Sequence, residues 1–221
     1  MSDDQGRPED IADQIRAIER VSRATPPPSA AQARLGAAVR RLSRWMLVAD
    51  DDATVTRAVD GLEQLLDELG VDEHGPTTRF TTPLAADPDQ RLVNAQGRHP
   101  LLGSTHPIAP HIELRVEGDM TVGDVTFDVR FEGNQGWVHG GFVAAGFDIV
   151  AVQAARLSGR SGPTGTLEVR YLAPTPIGVP LRYEGRYLRT ERRKIFAEGR
   201  LLRVDDGTLT AEADAIVIAV G

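Results

Sequence analysis

From residue 112 onward, apolar and polar side chains alternate in short runs separated by turn residues. Ile112-Glu113-Leu114-Arg115-Val116 has a period of two, as do residues 125–131, 165–171, 181–187, 195–201 and 213–218. Alternation of that kind predicts strands with one covered face and one open face. Asp206-Gly207 and Pro176-Ile177-Gly178 supply turns between them. Between the second and third strands the pattern changes. Phe142, Val143, Ala144, Ala145, Phe147, Ile149, Val150, Ala151 and Val152 follow one another with a single carboxylate, Asp148, among them. A helix with no polar face is a buried helix. Two strands, one long apolar helix and four more strands predict an α+β fold in which an antiparallel sheet wraps around a central helix.

Upstream of about residue 106 the periodicity is helical, over residues 8–24, 30–49 and 53–70. In the second stretch Leu35, Ala38, Val39, Leu42, Trp45 and Met46 recur at spacings of three and four, opposite Arg34, Arg40, Arg41 and Arg44. This predicts an apolar side packed on the body or on a partner and an arginine face in solvent. Pro26-Pro27-Pro28 ends the first stretch and Gly70 stops the third. Residues 71–111 show no sustained period and are expected to run over the surface as a linker. The chain thus divides into a helical amino-terminal extension with its linker, 1–107, and a sheet-and-helix domain, 108–221.

Composition narrows the function classes. The 221 residues are 41% hydrophobic, enough for a sizeable core, and the net charge of −7 is spread along the chain. No basic patch suited to nucleic acid stands out. With no cysteine, disulfides, thiolate nucleophiles and cysteine-ligated metals are excluded. The five histidines, His74, His99, His106, His111 and His139, lack metal-ligand spacing, so no metal site is expected. The acidic start Met1-Ser2-Asp3-Asp4 is unlike a signal peptide, and no apolar run is long enough to span a bilayer. A cytoplasmic protein is expected.

Asp148 then demands a reason. A carboxylate in an apolar helix is costly unless it is paired or hydrogen-bonded. Either neighbouring backbone N–H groups cap it, or it is kept at a cleft for chemistry. Nine residues before it, His139-Gly140-Gly141 opens the helix. A helix start presents N–H groups at the positive end of a dipole, and glycine lets a substrate carbonyl come close. Such donors would stabilise the oxyanion of a tetrahedral intermediate. His139 would either donate to that carbonyl or be bonded to backbone at a tight turn. Gly141 and Asp148 lie seven residues apart, roughly 10 Å along a helix at about 1.5 Å per residue. One helix therefore cannot bring both groups to one carbonyl carbon. Two antiparallel helices in a symmetric dimer can.

Residues 132–141, Glu-Gly-Asn-Gln-Gly-Trp-Val-His-Gly-Gly, followed by Asp148 and then by Arg170-Tyr171-Leu172-Ala173-Pro174, resemble the hotdog-fold acyl-CoA thioesterases. The branch most similar holds the mammalian thioesterase superfamily members and the bacterial phenylacetate-pathway enzymes. The resemblance covers about residues 108–221. It implies a hotdog fold, hydrolysis of an acyl-CoA to free CoA and a carboxylic acid, and no cofactor beyond the coenzyme A of the substrate. It also implies a homodimer, or a tetramer built as a dimer of dimers.

Carried onto this chain, the family's motif falls on His139, Gly140 and Gly141, its carboxylate on Asp148, acting as general base or nucleophile, and its later hydroxyl on Thr164. Some relatives have an asparagine shortly before the motif, and Asn134 lies near that place without matching its spacing securely. Where many relatives have arginine before the strand-ending proline, this chain has Ala173, so one basic contact to coenzyme A is missing. Arg189, Arg192, Arg193 and Lys194, at a turn between strands, are candidates for the phosphates of coenzyme A, and Trp137 and Phe142 for the acyl tunnel. A hotdog-fold hydratase, which pairs Asp with His five residues later, fits poorly, because Gln153 occupies that place. The alternative to hydrolysis is an acyl-CoA or lipid-binding module using the same pocket.

Overall fold

The computed structural model describes residues 29–71 and 99–220. The helix expected at 8–24, His74 and most of the linker lie outside them. Helices α1 (Ala30–Met46) and α2 (Asp52–Leu69) precede strands β1 (Glu113–Glu117) and β2 (Met120–Thr126). A single 3-10 turn, Val129–Phe131, then leads to helix α3 (Gly140–Arg156). Strands β3 (Thr164–Tyr171), β4 (Pro180–Glu191), β5 (Lys194–Arg203) and β6 (Leu209–Ile218) complete the order. The six strands form one antiparallel sheet in the order β1-β2-β4-β5-β6-β3. It closes around one side of α3. This is the α+β hotdog arrangement that the resemblance implies.

The helix can lie so near the sheet because both sides give up side-chain volume. A Cβ on Gly146 would stand 2.3 Å from the Tyr183 hydroxyl, and one on Gly185 would stand 2.6 Å from Val150. Tyr183 is fully buried, meets Phe147 edge-on at 5.1 Å and donates its hydroxyl to the Val143 carbonyl at 3.0 Å. Burial pushes that phenol well above its ordinary range. Phe127, Phe131, Val143, Phe147, Leu181 and Leu201 continue the core toward the start of α3, and Leu102, ahead of the first strand, joins them.

Three local expectations change. The alternation over residues 125–131 is not one strand. β2 ends at Thr126, where Asp128 accepts the Arg130 amide at 3.0 Å and caps the 3-10 turn that follows. Phe127 and Phe131 are both buried, so period-two spacing served a turn as well as it would have served a strand.

On α1 the arginine face, expected in solvent, is split: Arg40 and Arg44 turn to the body, as do the half-buried Val39, Leu42 and Trp45. Gly36 is buried because a Cβ there would stand 2.8 Å from the Thr105 backbone. Arg40 donates to the carbonyls of Ser104 at 2.7 Å and His106 at 3.2 Å, and Arg44 pairs with Asp128 at 3.2 Å. Arg34 and Arg41 stay exposed, and so do Leu35 and Met46 of the expected apolar stripe. The body offers carbonyls and a carboxylate here, and those select guanidinium over alkyl groups.

Helix α3, expected to be buried all round, is buried on one side only. Val143, Gly146, Phe147, Val150, Ala151, Ala154 and Ala155 face the sheet, whereas Ala144, Ala145, Asp148, Ile149 and Val152 are half-buried.

Candidate active site

His139 is the N-cap of α3, with extended backbone at φ −61° and ψ 129°. Its amide donates to the Phe131 carbonyl at 2.8 Å, and its Nδ1 accepts the Gly141 amide at 3.0 Å. The ring also meets Phe142 edge-on at 6.2 Å. A lone pair on Nδ1 puts the proton of the neutral imidazole on Nε2. The histidine is thus both a backbone cap and, through its exposed far edge, a donor. The Gly141 N–H is engaged, so the open N–H at the helix start is that of Gly140, which makes no hydrogen bond among the described residues.

Tyr171, at the end of β3, lies across this helix start. Its hydroxyl donates to the Gly140 carbonyl at 2.8 Å, and a Cβ on Gly140 would stand 3.2 Å from the phenol ring. Sequence reasoning used Tyr171 only as part of the motif that ends the strand. The antiparallel run of α3 and β3 gives it a positioning role, and no spacing rule within one element would reveal that.

The preceding loop is closed by Gly133 N–H to Trp137 O at 2.9 Å and Trp137 N–H to Asn134 O at 2.8 Å. Asn134 is exposed and Trp137 is 43% exposed beside the helix start. Phe142 packs edge-on against Phe131 at 5.0 Å, so it contributes to the core at the edge of the site.

Asp148 sits midway along α3 on the half-open side. Among the described residues its carboxylate has no ion pair and no hydrogen bond. Thr164 opens β3 opposite Val217, and its Oγ1 is buried with no hydrogen-bond partner among the described residues. A buried orphan hydroxyl costs free energy of about 1–3 kcal/mol. Such groups are otherwise satisfied by water or ligand.

The basic turn joins β4 to β5 at the carboxyl end of α3, where Ala155 packs with Ile195, Val217 and Ala219. Arg192 takes the left-handed φ of +56°, and its carbonyl accepts from Arg160 at 2.6 Å. Arg193 donates to the Ala219 carbonyl at 3.3 Å. Arg189 lies 4.0 Å over the Phe196 ring and pairs with Glu191 at 2.7 Å, while Lys194 is exposed. Arg160 is a member of this cluster that the sequence concealed, since 32 residues separate it from Arg192.

Two groups result. His139, Gly140, Gly141, Asn134, Trp137 and Phe142 stand at the start of α3; Thr164 and the basic turn stand at its end, with Asp148 between. A single chain does not bring the two groups together. Among the described residues no group of three or more His, Asp or Glu side chains is arranged to hold a metal, and no helix is long and apolar enough to cross a membrane.

Residues 135–210, which hold the helix and most of this constellation, match the family model described as the thioesterase superfamily. The crystal structure of a thioesterase superfamily protein superposes with a TM-score of 0.70 at 30% identity, over 88% of this chain and 97% of that one. Zebrafish thioesterase superfamily member 2 shares the fold, with a TM-score of 0.50 at 20% identity over 57% of this chain and 91% of its own. With a relative matched along nearly its whole length, the chain belongs to the thioesterase superfamily.

Proposed function

We propose that the protein hydrolyses an acyl-CoA thioester in a site shared between two antiparallel copies of α3. The observation that carries this reading is the placement of Asp148. It is a carboxylate with no partner among the described residues, on the half-open side of an otherwise apolar helix, roughly 10 Å from the Gly140-Gly141 start at about 1.5 Å per residue. Ala144 and Ala145 lie between them on the same half-open side, small enough for a second helix to approach. The start of one helix then meets Asp148 of the other.

In such a site the thioester oxygen points at the Gly140 N–H and the His139 Nε2–H, and negative charge developing there is stabilised by about 3–4 kcal/mol per donor. Asp148 either takes a proton from the water that attacks the carbonyl carbon or attacks it directly to form a mixed anhydride that water then opens. In both routes the C–S bond breaks and the thiol leaves with a proton; in the first the water oxygen ends in the product acid, whereas in the second water attacks the Asp148 carbonyl of the anhydride, so its oxygen stays on Asp148 and an aspartate oxygen leaves in the acid. Thr164, on the Asp148 chain, keeps a buried hydroxyl with no partner among the described residues, and its part in this reading is to support the site from β3. The basic turn at Arg192, Arg193 and Lys194 is at that same end and faces the phosphates of coenzyme A.

The test is thiol release from a panel of acyl-CoAs, trapped as it forms, by the wild type and by Asp148→Asn. The wild type releases thiol and the variant, folded as before, does not. Coenzyme A binding without thiol release from any acyl chain would make the protein a binding module instead. A single turnover in heavy-oxygen water separates the two routes, since only the anhydride leaves labelled oxygen in Asp148.

A further inference from the structure

Between α1 and the body lies a cleft of about 400 Å³, within the range of roughly 300–1,000 Å³ typical of small-molecule sites. It is lined by Arg40, Arg44, Arg130, His111, Ala33 and Asp128 among others. This cleft is on a different part of the molecule from the basic turn, and it plays no part in the hydrolysis proposed above.

Its charge is unbalanced. Among the described residues Asp128 is the one carboxylate of the lining, and it is already committed: Arg130 grips it through Nε at 2.9 Å and Nη2 at 3.0 Å, and Arg44 reaches it at 3.2 Å. Arg40 bonds two backbone carbonyls and pairs with no carboxylate among the described residues. Burial, with the neighbouring Arg130 and Arg44 charges, holds Arg40 below the ordinary arginine range. His111 joins the wall in a left-handed backbone conformation, φ +63°, which non-glycine residues adopt at a cost.

The unused donors define the ligand. Arg40 and Arg44 are one helical turn apart on α1, both line the cleft, and the Arg44 charge is felt at Arg40. Among the described residues each bonds only through Nη1, and Nε and Nη2 of both have no partner there. Four N–H-bearing nitrogens suit a group with three terminal oxygens better than a carboxylate with two. The cleft is also larger than a bare phosphate ion. We infer that the cleft between α1 and the body binds the phosphate group of a small phosphorylated molecule through Arg40 and Arg44.

The experiment titrates the full chain calorimetrically with inorganic phosphate and, separately, with ribose 5-phosphate. Ala33→Glu adds a carboxylate to the cleft wall without removing any bond. Arg192→Gln/Arg193→Gln serves as the control at the basic turn, and circular dichroism checks that α1 persists in each. Saturable binding is expected in the wild type and in the turn variant, with at least a tenfold loss in Ala33→Glu. Tighter binding of ribose 5-phosphate marks a phosphomonoester, and equal binding marks phosphate itself. Absence of saturation up to about 10 mM, where a 1 mM site would be mostly filled, overturns the inference. Binding that survives in Ala33→Glu, or that is lost only in the turn variant, overturns it too.

Discussion

His139 caps α3 through Nδ1, accepting the amide of Gly141 at 3.0 Å, so the residue that opens the motif also holds the helix start in place. Its two roles can be separated by substitution. His139→Ala removes cap and donor together, and is expected to lower stability by about 1 kcal/mol in urea melts, the usual cost of losing an N-cap. His139→Asn, a good cap of similar reach, restores most of that stability but leaves thiol release at the level of the alanine variant. If His139→Asn recovers activity along with stability, the imidazole is a cap alone.

Tyr171 fixes the same helix start from β3. Removing its hydroxyl in Tyr171→Phe deletes the bond to the Gly140 carbonyl, which is exposed and worth at most about 1 kcal/mol of stability. The expected effect is instead on turnover. We expect kcat/KM to fall about tenfold with little change in melting temperature, because small misplacements of donors cost rate steeply.

Gly146 tests the packing of helix on sheet. Alanine favours a helix over glycine by about 1 kcal/mol, so propensity alone predicts stabilisation. The added Cβ would meet the Tyr183 hydroxyl at 2.3 Å, and Tyr183 is fully buried with nowhere to go. Gly146→Ala is therefore expected to destabilise by a net amount of about 1–3 kcal/mol in equilibrium denaturation. A rise in stability would show that the helix shifts on the sheet at little cost.

Asp128 makes the docking of α1 depend on pH. Burial works to raise its pKa, but hydrogen bonds from Arg130 and Arg44 outweigh it and hold the carboxyl below the usual carboxylate range. A lowered folded pKa gives stability that is present above the ordinary aspartate pKa of about 3.9 and is lost as pH falls through the folded value. Asp128→Asn should thus be less stable than wild type by at most about 1 kcal/mol at neutral pH, the pair being partly exposed. The two proteins should converge only once the pH has fallen below the lowered folded pKa, where Asp128 is protonated in both folded and unfolded chains.

The strands after the helix were legible because each has one face on α3 and one open, and period-two alternation records that difference directly. Asp148 was legible for the same reason, as the one carboxylate in an apolar run. The arginine stripe of α1 was misread. Periodicity says that two faces differ but not where the contact boundary falls, and the Ser104 and His106 carbonyls with Asp128 draw in Arg40 and Arg44 while Arg34 and Arg41 stay in solvent. The 125–131 run failed where Asp128 caps a turn, since a local side-chain bond overrides alternation. The bond from Tyr171 to the helix start, and Arg160 altogether, escaped notice because their partners, Gly140 and Arg192, are 31 and 32 residues away in sequence.

The shared site is the central claim, and mixing two inactive proteins tests it most directly. Asp148→Asn removes the attacking group. Gly140→Pro removes the open amide at the first helical position, where proline is well tolerated, and His139 already has the extended backbone that proline requires before it. Only the exposed Tyr171 ring has to give way. Each variant alone should be inactive. Co-refolded in equal amounts, half of the dimers are mixed, and each mixed dimer carries one intact site, so about one quarter of wild-type thiol release returns. No activity beyond that of the separate variants would contradict the account and place the whole reaction within a single chain.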